Sequence, residues 1–161
     1  MFGLTTLGAV HTAISLVALA SGFLALWRER EISLRSSLGR TYVVTTALTA
    51  ATALGIFQHG GFGPPHMLAI LTLLALAIGC LAAFTGLFGG WSRYAQAVSF
   101  STTIFFHLVP AFTETLTRLP LGAPVLPNAE APELKAIAGV LLLLLVVGLV
   151  LQLRWLRAQA R

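Results

Sequence analysis

Charge is what this sequence has least of. Only 9% of its 161 residues are Asp, Glu, Lys or Arg, against roughly 25% in a soluble domain. A chain so poor in charge cannot cover a water-facing surface, and a soluble globular fold is excluded. Acidic residues are scarcer than basic ones, five against ten, for a net charge of +5. That balance does not indicate nucleic acid, because the cations fall between apolar runs and form no basic face. Cysteine is limited to Cys80; no disulfide forms within one chain, and the redox compartment is not legible from it. Catalytic fingerprints are also missing: there is no nucleophile elbow, Walker loop or dinucleotide-binding glycine pattern. The glycines at 60–63 follow no strand and read as a turn. No Lys or Arg precedes Arg28, so the stretch Ala18-Leu19-Ala20 lacks the cationic region that a secretory signal needs. The first apolar run is expected to be an uncleaved helix.

What is abundant is apolar length. Hydrophobic residues make up 57% of the chain, and the mean hydropathy is +0.90. A spanning helix needs about 20 mostly apolar residues. Five stretches qualify: 4–27, 41–57, 66–88, 92–116 and 134–153. The expected fold is therefore all-α, a single integral-membrane domain of five transmembrane helices. Polar Arg28 to Arg40 joins the first two spans. Gly60-Gly61-Phe62-Gly63-Pro64-Pro65 turns the second into the third, and Gly89-Gly90 ends the third. A loop with Pro120, Pro124, Pro127 and Pro132 precedes the fifth. Gly139 to Leu151 is nearly all Leu and Val with no polar face. That places the fifth helix outside a bundle made by the first four, against lipid.

Orientation follows from the cations. Connector 28–40, the turn bearing Arg93, and the tail with Arg154, Arg157 and Arg161 hold eight of the ten. The opposite side has only Arg118 and Lys135. Positive residues accumulate in the cytoplasm, so the N-terminus is expected outside and the C-terminus inside. Trp27, Trp91 and Trp155 then fall at cytoplasmic span ends, where interfacial tryptophans concentrate.

This topology puts all four histidines toward the outer face. At 1.5 Å per residue, His11 and His107 are each expected roughly 10–14 Å below the outer surface. His59 and His66 flank the outer turn. His11 belongs to a stripe of small residues, Gly8, His11, Ser15, Ala18 and Gly22, at spacings of three and four. Such a stripe either packs helices closely or clears room for a flat ligand. The second span carries Thr45, Thr49, Thr52, Ile56 and His59 on one face. In the fourth, Gln96, Thr103, His107, Pro110 and Glu114 share a face, and Pro110 leaves the Phe106 carbonyl without its helical donor.

An ionisable side chain inside a span points to function, and three functions suit these. Two histidines at matched depth on separate helices can ligate haem b; His11 and His107 are the expected pair, with Arg118 and Lys135 for the propionates. With no histidine in the inner half, electrons would be exchanged only at the outer surface, with a quinol or a periplasmic carrier. Alternatively, His11, His59, His66, His107 and Glu114 offer donors for copper, zinc or iron, or for a proton relay. The third possibility is an accessory or scaffold subunit of a larger membrane complex, or a homo-oligomer, whose histidines bond to threonines and waters.

Three places resemble a bacterial family of multi-span membrane proteins classified as a domain of unknown function. They are His11 in the first span, Leu38-Gly39-Arg40-Thr41-Tyr42 before the threonine-rich span, and Gly61-Phe62-Gly63-Pro64-Pro65-His66 with His107 in the fourth. The resemblance covers about the first 120 residues. It departs at Leu34-Arg35-Ser36-Ser37, where such proteins carry a histidine shortly before the Gly-Arg pair. It implies a multi-pass protein of the bacterial inner membrane and brings no activity with it.

Overall fold

The computed structural model describes residues 5–57 and 61–160. Among them there are five α-helices and no strand: α1 (Thr6–Glu29), α2 (Ser37–Ala53), α3 (Pro64–Phe84), α4 (Ser92–Arg118) and α5 (Pro132–Gln159). One 3-10 turn, Gly89–Trp91, leads into α4. By length and composition, α1, α3, α4 with its 3-10 turn, and α5 could each cross a membrane. At 17 residues α2 is shorter.

Local chemistry sets the boundaries. Thr5 caps α1 by accepting from the Gly8 N–H, and Ser36 caps α2 by accepting from that of Gly39. The second helix therefore begins four residues before the expected 41 and ends at Ala53, where 57 was expected. Gly63 precedes α3, whose first turn tolerates Pro64 and Pro65 because first-turn N–H groups have no helical acceptor. That helix stops at Phe84, short of 88, because Thr85 turns extended and its hydroxyl bonds back to the Leu81 carbonyl. Pro110 lies inside an unbroken α4.

Helix α1 packs mainly on α2, and α3 mainly on α4; α2 touches α3, α1 touches α4, and α5 lies along α4. The core joins Ala18 and Ala25 of α1, Tyr42 and Val43 of α2, Leu76 of α3, and Phe100 and Ile104 of α4. The small stripe of α1 faces this core: Gly8, Ala18 and Gly22 are buried. On α5, Leu142, Leu143, Leu144, Val146, Val147 and Leu151 stay exposed.

The polar connector is more built than its composition suggests. Arg30 takes the left-handed conformation that ends α1, and the next turn drives Ile32 to full burial in the core. Three side chains hold it there. Arg93 forms a two-pronged ion pair with Glu31, at 2.8 and 3.1 Å, and stands over the Trp155 ring at 5.5 Å. Gln96 donates to the Ile32 carbonyl at 3.0 Å. Gln152 of α5 donates to the Arg30 carbonyl at 2.9 Å and accepts from Ser101 of α4 at 2.9 Å.

Gln152 is thus the polar anchor of an otherwise apolar helix. Replacing it by Leu leaves the buried Ser101 hydroxyl without its acceptor and the Arg30 carbonyl without its donor, which costs about 1–3 kcal/mol. Gln152→Leu is expected to lower the temperature at which the half-buried Cys80 thiol becomes reactive. An unchanged midpoint would mean that apolar contact alone seats α5.

Candidate functional site

A polar seam runs where α1, α2 and α4 meet. Its centre is His107, 5% exposed. Its Nδ1 lies 3.3 Å from Ser15 Oγ of α1, and its Nε2 lies 3.1 Å from Thr46 Oγ1 of α2. One imidazole on α4 therefore bonds two other helices. In a neutral ring one nitrogen donates and the other accepts, while each hydroxyl can do either. The bonds suit both tautomers.

His11 enters the same seam one helical turn from Ser15. Its Nδ1 is 3.0 Å from Thr52 Oγ1. On the other side of His107 stands Tyr42, the two ring centroids 6.3 Å apart. The Tyr42 hydroxyl is 2.6 Å from Thr103 Oγ1, and Thr103 donates to the Phe100 carbonyl. Beyond Tyr42 lie Ala25, Ile32, Val43 and Phe100, all apolar. The polar line is closed toward the arginine-rich end of the molecule.

The two histidines expected to act as a pair thus share one interface, but not one depth. From the start of α1 to His11 is roughly 8 Å, and from the end of α4 back to His107 roughly 16 Å, at 1.5 Å per residue. Ser15, not His11, is at the level of His107. Arg118 pairs with Glu114 one turn away on its own helix, and Lys135 is exposed in the first turn of α5. His66 lies apart, on α3, in ring contact with Phe57 and with Phe62. His59 lies outside the described residues. Among the described residues, no three His, Cys, Asp or Glu side chains gather closely enough to hold a metal ion.

Haem b poses a different test. The donors are of the right kind, two imidazoles from separate helices, and both rings are already engaged by hydroxyls. Both nitrogens of His107 already have hydroxyl partners. The room beside the small stripe is also occupied: a Cβ added at Gly22 would sit 2.6 Å from Ile104 and 2.7 Å from Tyr42. At Gly22, then, the stripe serves close helix packing.

Thr46 and Tyr42 were not among the expected site residues. The threonine face chosen on α2 was 45, 49 and 52, and it is Thr49 and Thr46 that are buried. Neighbouring Thr45 turns back to its own chain, bonding the Thr41 and Tyr42 carbonyls. Adjacent threonines differ by 100° on a helix, and a pair at 45 and 46 leaves the inward one undetermined. Comparison with protein families, curated proteins and solved structures gives no match to this chain.

Proposed function

We propose that the chain is a five-span protein of the bacterial inner membrane, N-terminus outside and C-terminus in the cytoplasm. In this arrangement α1 to α4 form the working bundle, and the seam is a proton relay open to the outer side only. The orientation is supported by eight cations and three tryptophans toward one end. The bacterial setting is supported by the resemblance at 38–42 and 61–66.

One observation carries the relay: the His107 ring bonds a hydroxyl through each of its nitrogens. A proton arriving at one nitrogen releases the proton on the other, and the rotating hydroxyls of Ser15 and Thr46 reset the line. His11 and Glu114 stand nearer the outer mouth, as gate and local charge. Tyr42 and the apolar layer beyond it stop the line. Buried ionisable groups lined up in this way are the usual form of membrane proton paths.

The expected result, for protein in liposomes with ¹⁵N-labelled histidine, is that an external pH jump changes the His11 and His107 signals while the internal pH holds. A His107 imidazole unchanged between about pH 4 and 9, a range wide about the ordinary histidine value, would sink the relay and leave an accessory role. Haem b remains a second proposal, favoured by the entry of both imidazoles into one seam. It requires α1 and α4 to part and His107 to exchange Thr46 for iron. A sharp b-type band in the reduced-minus-oxidised spectrum of haem-replete protein, lost in His107→Ala, would replace the relay by electron exchange.

A further inference from the structure

The segment joining α4 to α5 is not built like a loop in water. Turns in water draw Asn, Asp and Ser along with Gly and Pro, and none of those three occurs from Leu119 to Pro127. The stretch reads Leu, Pro, Leu, Gly, Ala, Pro, Val, Leu, Pro, without one polar side chain. Leu121 and Val125 are 64% and 62% exposed. Leu126 is buried, in a small cluster with Leu116 of α4 and Leu134 and Ile137 of α5.

The backbone also exposes few donors. Three of these nine residues are prolines, which have no N–H. Leu119 donates to the Thr115 carbonyl at 2.9 Å, Ala123 to Pro120 at 3.1 Å, Val125 to Leu119 at 3.1 Å and Leu126 to Leu116 at 2.9 Å. That leaves Leu121 and Gly122, at the tip, with N–H groups unpaired among the described residues. The last two bonds also fix a direction. They turn the chain back and bring Leu126 level with Leu116, inside the end of α4 at Arg118. An open groove of about 580 Å³ lies there, lined by Thr115, Leu116, Leu119, Pro120, Leu121 and Val125.

These features select an occupant. A partner chain pairing along the backbone would need the N–H groups that proline removes and the loop's own carbonyls already hold. Hydrocarbon needs the reverse, because a backbone donor left open there has no water to meet. The nearest charges suit a membrane margin as well, since Glu114 and Arg118 neutralise each other on the last turns of α4. The two open N–H groups at the tip still need water. The depth is therefore the boundary between headgroups and acyl chains.

We propose that segment 119–127 folds back into the leaflet where α4 ends, with Leu119, Leu121, Val125 and the groove against phospholipid acyl chains. It rests on the reading of α4 and α5 as spans, and not on the relay or on haem.

The test uses the full chain with Cys80→Ser and Val125→Cys, in phosphatidylcholine nanodiscs. Should Cys80→Ser not fold, Cys80→Ala takes its place. A charged maleimide is expected to react with Val125→Cys about tenfold more slowly than with Asn128→Cys, the loss of thiolate when a thiol pKa rises by one unit. A nitroxide at residue 125 then separates lipid from protein cover. Oxygen, which concentrates among acyl chains, is expected to reach it more often than a polar nickel chelate does. The lipid control is Leu144→Cys, at a residue 61% exposed on α5, and Leu121→Cys should read as Val125→Cys does. Chelate contact at 125 equal to that at 128 puts the loop in water and overturns the proposal. A label that neither reagent reaches overturns it too, because a protein surface or a second copy then covers the loop. In either failure, a lipid reading at 144 leaves the spans standing, whereas a water reading there removes them as well.

Discussion

Gly22→Leu is expected to keep α1 from seating on the bundle. A Cβ at this position would lie 2.7 Å from two carbons of the Tyr42 ring and 2.6 Å from Ile104 Cδ1, well inside van der Waals contact. Ile104 can yield, because the offending atom is the end of a flexible side chain. Tyr42 cannot. It is fully buried, and its hydroxyl is held by Thr103 at 2.6 Å. Overpacking a tight core costs about 1–3 kcal/mol and sometimes more. Alanine should fall in that range, and leucine, with three further carbons, should exceed it. Reactivity of the Cys80 thiol during heating measures both. Gly148→Leu is the control, since nothing lies within 4 Å of its added Cβ. Tyr42→Ala should relieve Gly22→Leu; if the double variant melts no higher than the single one, close packing at Gly22 is not what the glycine provides.

The same physics recurs on α3, where a side chain at Gly79 would run into the Phe100 ring. Helices in lipid gain no hydrophobic drive from meeting each other, so close approach over small residues is a main source of their affinity. Gly8, Ala18 and Gly22 on α1 have that role. The space that Gly22 clears is taken by Tyr42 and Ile104, side chains of this chain.

Helix number and type were legible because apolar length and glycine–proline punctuation are local properties. Four of the five elements lie within a few residues of expectation at their starts. The exception, α2, begins early because the Ser36 cap outranks the hydrophobic onset at Thr41. The burial of Ile32 was not legible. It depends on Arg93, Gln96 and Gln152, which are far away in sequence and are ordinary polar residues when taken singly. In the site, the inward face of α1 was readable from its stripe, and that of α4 from Thr103 and His107. Partner choice was not. Depth counted along separate helices carries errors of a turn, and one turn decides whether His107 meets His11 or Ser15. Only the placement of the helices against each other settles such a contact.

That contact sets up the second large effect, at His107. His107→Ala removes a ring and two hydrogen bonds at a position 5% exposed. Loss of a large core side chain to Ala costs about 2–5 kcal/mol, most of it cavity. Hydrogen bonds between membrane helices are worth less, on average about 0.6 kcal/mol each and rarely above 1.7. The inequality makes His107→Leu the informative variant. Leucine refills most of the cavity, and the freed hydroxyl of Thr46 has a retreat onto its own helix. Thr45, Thr49 and Thr52 already bond the carbonyls of Thr41, Thr45 and Leu48 in that way. His107→Leu is therefore expected to melt within about 2 kcal/mol of the wild type, with His107→Ala clearly below it. A folded His107→Leu protein also separates the two uses of the ring. If the imidazole is a relay, the His11 signal still answers an external pH jump, while proton exchange at the Tyr42 end of the seam stops. If exchange there continues at the wild-type rate, His107 is a bolt between three helices and the proton takes another path.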